Sequence, residues 1–116
     1  MGEQYQELKR LCKYWPASPV PAEFQVPVKS NVPVLLLSGE ADPVTPPLNA
    51  EQVATTLPSS VSLVAPGQGH GIITLGCTSR LAADFVEKGR VKDLDTACIK
   101  DTKPMPFFLS LVGTVP

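Results

Sequence analysis

Histidine is nearly missing from this 116-residue chain: there is one, His70, beside three cysteines, Cys12, Cys77 and Cys98. Structural zinc wants four ligands at short paired spacings, and no C-x-x-C pair is present, so neither a metal nor a cofactor is expected. Charge of one sign is lacking too. Ten basic and eleven acidic side chains give a net charge of −1, with no basic stripe for phosphates and no block of like charge, which argues against nucleic-acid or membrane-surface partners. No apolar run approaches the roughly 20 residues of a membrane span, and Gly2-Glu3-Gln4 do not open a basic-then-apolar export signal. Any such signal is expected to have been removed or to lie on other sequence. Also absent is G-x-S-x-G, the sharp turn that presents a hydrolase serine.

Proline, by contrast, is abundant: 13 residues, about twice the usual share of ~5%. Many loops are therefore stiff. With 43% hydrophobic and 18% charged residues, the composition is otherwise that of an ordinary folded chain of one domain at most.

The chain is organised around Val32-Pro33-Val34-Leu35-Leu36-Leu37-Ser38-Gly39-Glu40-Ala41-Asp42-Pro43, an apolar run that ends in glycine and two acids. Its apolar residues do not alternate with polar ones, as in strands of parallel α/β sheets covered on both faces. Function in such sheets gathers where strands end. Pro43 biases Asp42 away from helical backbone, and Pro46 and Pro47 suit the start of a helix. That helix is predicted over Leu48–Leu57, with Leu48, Val53, Ala54 and Leu57 inward and Pro58 as its stop. A second strand, Val61–Ala65, empties into Pro66-Gly67-Gln68-Gly69-His70-Gly71. Strand, helix and strand then form a parallel crossover.

Upstream, Glu3–Tyr14 reads as a packing helix with Tyr5, Leu8, Leu11, Cys12 and Trp15 near one face, stopped by Pro16. A Pro-rich connector follows, giving a division into 1–31 and 32–116. Downstream, Thr78–Lys88 reads as a helix with Leu81, Ala82, Phe85 and Val86 inward and Gly89 as its C-terminal cap. Leu94–Cys98 reads as a turn or short helix, and Pro104–Phe108 as an apolar tail. Two buried strands fall short of the roughly four to six of a stable sheet. The core is expected to be completed by a preceding segment or another chain, and the chain alone to self-associate.

The order of these features resembles the C-terminal region of α/β-hydrolases related to tripeptidyl and prolyl aminopeptidases (TAP-like). Cys12-Lys13-Tyr14-Trp15-Pro16 is similar to a C-x-x-W-P that follows the cap region. Leu37–Pro46 resembles the family's acid loop, and Gly67-Gln68-Gly69-His70-Gly71 its histidine loop. Gly76-Cys77 and Asp95-Thr96-Ala97-Cys98 complete the pattern. The resemblance covers most of the chain and implies an α/β-hydrolase fold whose sheet is incomplete here.

It also implies roles. His70 would be general base and then acid, with a histidine merely packed in a Gly-rich turn as the plainer reading. Asp42 would hold the other imidazole nitrogen, or else simply cap the helix after Pro46. Glu40 is the rival acid, or a neighbour of the substrate's charged end. Ser38, Ser59, Ser60, Ser62, Ser79 and Ser110 lack elbow context, so the nucleophile is expected upstream, on the remainder of the hydrolase domain. Cys77 and Cys98 flank the last helix and either bridge, which implies an oxidising compartment and a secreted or periplasmic parent, or remain buried thiols. Cys12 is left free or pairs elsewhere. The implied activity is a serine peptidase acting on short peptides, amides or esters; the alternative is a non-catalytic module that associates with itself or another protein.

Overall fold

The computed structural model describes residues 2–15, 18–104 and 106–107. Pro16, the expected stop of the first helix, Met105 and Phe108 of the expected apolar tail, and Ser110 lie outside them.

Strand β1 (Val34–Gly39) and strand β2 (Ser60–Ala65) pair in parallel, from Val34 opposite Ser60 to Gly39 opposite Ala65. Helix α2 (Pro47–Ala54) connects them, so the sequence folds here as an α/β unit. Pro47 occupies its first turn, where its missing N–H costs nothing. The helix covers Pro47–Ala54, shorter than predicted. Of its expected inward residues, Leu57 is buried just past its end and Ala54 is half-buried, but Leu48 and Val53 are exposed. Two turns of helix on a two-stranded ribbon leave those side chains nothing described to pack on.

The core lies to one side of the ribbon. Ala65, Ile72, Leu81 and Ile99 are buried together, with Leu37, Leu63, Leu75, Leu94 and both bridging cysteines packed around them. Helix α3 (Thr78–Lys88) supplies Leu81, and Gly89 ends it in left-handed backbone. Val86, predicted inward, is 78% exposed. Each helical step turns 100°, and Thr78, Leu81 and Phe85 cluster within one narrow arc that Val86 falls outside. Thr78 is buried instead, its hydroxyl donating to the carbonyls of Ile72 and Leu75, so its polarity is satisfied.

Cys77 and Cys98 form a disulfide with a Cα–Cα distance of 6.3 Å, closing the loop that holds α3. The 3₁₀ turn Ala97–Asp101 then brings Ile99 into the core. At the other end of the chain, helix α1 (Gly2–Cys12) forms as predicted but buries none of its residues; Tyr5, Leu8 and Leu11 are exposed. The expectation of a packing helix is thus met in its periodicity and not in its burial among the described residues. Cys12 is an exposed free thiol. No helix among the described residues is long and apolar enough to cross a membrane.

Candidate active site

The carboxyl ends of β1 and β2 lie side by side because the strands are parallel and in register, so their two following loops emerge together. Backbone bonds continue the pairing beyond the strands: Glu40 N–H donates to the Ala65 carbonyl at 3.0 Å and Ala41 N–H to the Gln68 carbonyl at 2.9 Å. Gly39 makes this closeness possible. A Cβ at position 39 would collide with the carbonyl oxygens of Gln68 and Gly69, which are backbone and cannot swing aside.

Glu40 is not the acid that meets His70. Its Oε2 accepts the backbone N–H of Gly67 at 2.7 Å, tying the first loop to the second. Gly67 has φ +62°, and a side chain there would press on the ring of Pro104. Gln68 completes the tethering, its Nε2 donating to the Lys103 carbonyl at 2.8 Å. The histidine loop is thus held from β1 on one side and from the segment after Cys98 on the other.

Within this frame Asp42 is buried, 6% exposed. Its Oδ1 accepts the backbone N–H groups of Val44 at 2.8 Å and Thr45 at 3.0 Å, a turn that Pro43 pre-shapes. Its Oδ2 faces His70 Nδ1 at 2.9 Å. The helix-side cap and the histidine contact therefore coexist on the two oxygens of one carboxylate. Burial pushes the carboxyl pKa up, but hydrogen bonds from the Thr45 N–H, His70, the Thr45 hydroxyl and the Val44 N–H outweigh it. Asp42 is held well below the usual carboxylate range and is ionised at neutral pH.

The His70 side chain is 57% exposed, against 3% for Asp42. The ring therefore has one nitrogen against a buried carboxylate, while Nε2 has no hydrogen-bond partner among the described residues. That arrangement can accept a proton at Nε2 and carry the resulting positive charge beside Asp42. No serine hydroxyl among the described residues is hydrogen-bonded to His70, and Ser38 is buried in β1.

Thr45 was not singled out in the sequence. Its hydroxyl donates to Asp42 Oδ2 at 2.8 Å and lies 3.2 Å from His70 Nδ1, inside the pair itself. The available signal was the spacing in Asp42-Pro43-Val44-Thr45, where a hydroxyl three residues after an aspartate closes a local turn.

Two concavities lie elsewhere. One of about 590 Å³ opens at the far end of the strands among Lys29, Asn31, Thr55 and Pro58, and one of about 310 Å³ lies beside the disulfide. Neither includes His70 or Asp42. No group of three or more potential metal ligands occurs among the described residues.

A family model described as TAP-like protein, one of the α/β-hydrolase models, matches residues 1–98. That span takes in the helix α1, both strands, the acid loop, the histidine loop and both bridging cysteines. No curated protein and no solved structure matches the chain. With most of its length matched, including both loops that meet at Asp42 and His70, this chain belongs to the TAP-like protein family of α/β-hydrolases.

Proposed function

We propose that the chain supplies the acid and the base of a Ser-His-Asp hydrolase, with the serine and the oxyanion donors carried on sequence outside it. The observation that carries this reading is the contact of ionised, buried Asp42 with the Nδ1 of an exposed histidine at 2.9 Å, at the carboxyl ends of parallel strands. His70 Nε2 takes the proton of the serine hydroxyl as it attacks an acyl carbon, then returns it to the leaving group. Asp42 keeps the ring oriented and stabilises the imidazolium between those steps. The substrates are short peptides or related amides and esters, cleaved by an acyl-enzyme route in the manner of an aminopeptidase. The Cys77–Cys98 bridge supports an oxidising, extracytoplasmic location.

The experiment is labelling with a fluorophosphonate, which reacts with an activated serine. This chain alone should not label. Combined with a family segment that contains a G-x-S-x-G elbow, the assembly should label on that serine, and His70→Ala should remove the reaction. Labelling of this chain alone, or labelling indifferent to His70, would overturn the proposal.

A second reading, a non-catalytic module that self-associates or binds another protein, is favoured by the uncovered apolar face of α1. Exposed apolar surface of this kind seeks a partner. In the hydrolase reading the same face, with the outer edges of β1 and β2, receives the remainder of the domain.

A further inference from the structure

Gln68 stands two residues before His70, is half-buried, and touches three parts of the chain. Its backbone N–H donates to the Ala65 carbonyl at 3.4 Å and its carbonyl accepts the Ala41 N–H at 2.9 Å, so its main chain closes the turn after β2 and docks it on the acid loop. Its side-chain Nε2 lies 2.8 Å from the Lys103 carbonyl and 3.4 Å from the Pro66 carbonyl. Carbonyl oxygens can only accept, so the amide presents its two N–H groups here, one to each. Among the described residues this side chain makes the only hydrogen bond between the histidine loop and the segment after Cys98. Packing marks the same junction, since a Cβ on Gly67 would come within 3.0 Å of the Pro104 ring.

We infer that Gln68 is a positioning residue: its doubly donating amide registers the histidine loop on the segment at Lys103, and so sets where the backbone presents His70 to Asp42. The segment is a firm reference because it leaves the 3₁₀ turn Ala97–Asp101, in which Cys98 is bridged to Cys77 and Ile99 is buried in the core. Asp42 acts on the imidazole ring, whereas Gln68 acts on the backbone that delivers the ring. An acidic or apolar side chain of the same length would leave the carbonyls of Lys103 and Pro66 without this donor. The catalytic importance of the role rests on the hydrolase reading above; the placement of the loop does not.

The test is hydrogen exchange in this chain with the disulfide intact, read at the Ala41 and Gly67 amides, which join the two loops, and at Nδ1–H of His70, the only histidine. Gln68→Glu keeps the shape of the side chain but, once ionised, turns an acceptor on two carbonyls. At neutral pH all three protons should exchange about tenfold faster than in the wild type, roughly the worth of one lost hydrogen bond, while the amides of α3 keep their wild-type rates. Acidification that protonates the new carboxyl returns a donor, and leaves Asp42, held well below the usual carboxylate range, ionised. The ratio to the wild type at the same pH should then fall back toward one. The other titratable or charged groups here are Glu40, bonded to Gly67, and Asp101 and Lys103, which line the concavity beside Gln68; the wild type carries their contribution at every pH. If Gln68→Glu does not fold, Gln68→Met removes the donor without adding charge and should give the same acceleration at either pH. A side chain serving stability alone would speed the loop and α3 together. That result, unchanged exchange in the loops, or a Gln68→Glu effect that acid does not reverse would overturn the inference. Because no substrate or serine enters the measurement, its outcome is separate from that of the fluorophosphonate test.

Discussion

Helices α1 and α3 have the same length of 11 residues and comparable amphipathic patterns, yet their situations differ completely. Leu81 of α3 is buried against Ala65, Ile72 and Ile99, and the disulfide fastens both flanks of the helix. Among the described residues, helix α1 has only local support: an ion pair between Glu7 and Arg10 at 2.8 Å and Lys9 over the ring of Tyr5 at 4.7 Å. Exposed pairs of this kind contribute about 0.5 kcal/mol or less each, and a lone helix of this length is marginal in water. Periodicity specifies a helix and its apolar face; it does not supply the surface that face needs.

The histidine loop belongs with α3. Its tethers run from Glu40 through Gly67 and from Gln68 to Lys103, just beyond the cysteine bridge. Order at the candidate site is therefore coupled to the small core and the disulfide, and among the described residues no hydrogen bond or ion pair joins it to α1.

Breaking the bridge should have the largest effect on this contrast. Reduction, or the Cys77→Ser and Cys98→Ser pair, should cost about 3 kcal/mol by freeing the loop of the unfolded chain, measured as a lower denaturant midpoint, with loss of protection in the histidine loop. Helix α1 should exchange its amide hydrogens as it did before. Leu81→Ala should cost about 2 kcal/mol, near the low end for a buried leucine because so small and open a core can relax. Acidification sharpens the comparison from the site's side. Asp42 has a folded pKa below its unfolded value of about 3.9, so its contribution is complete above that pH and is lost as pH falls toward the folded value. The Asp42→Asn variant should lack this acid-dependent component in a series of melts. Smallest of all, Leu8→Ala on α1 should change the melting of the core by less than about 0.5 kcal/mol; a larger loss would mean that α1 packs on the rest of the chain after all.

Much of this architecture was legible before the structure. The apolar block at Val34–Leu37 reads as a strand, Thr78 to Lys88 as a helix and Gly89 as its cap, because each depends on local preference or on unbroken hydrophobicity. Burial was less legible, since it depends on which arc meets a neighbour: Val86 is as apolar as Leu81 and lies outside the arc, while Thr78 enters the core because two carbonyls await its hydroxyl. The meeting of Asp42 and His70 could be expected only from the order of two strand-loop units and the family pattern. Thr45 escaped notice because its spacing from Asp42 describes a turn, whereas its contact with His70 crosses 25 residues of sequence.

The central claim is that ionised Asp42, by holding His70, drives a serine hydrolase. It is tested most directly by kcat/KM for an aminoacyl anilide in an assembly of this chain with a family segment bearing the G-x-S-x-G elbow. Asp42→Asn preserves the shape of the side chain but removes its charge, and should lower kcat/KM by about 10⁴-fold. An assembly that turns over the anilide equally well with either residue at position 42 would contradict the account.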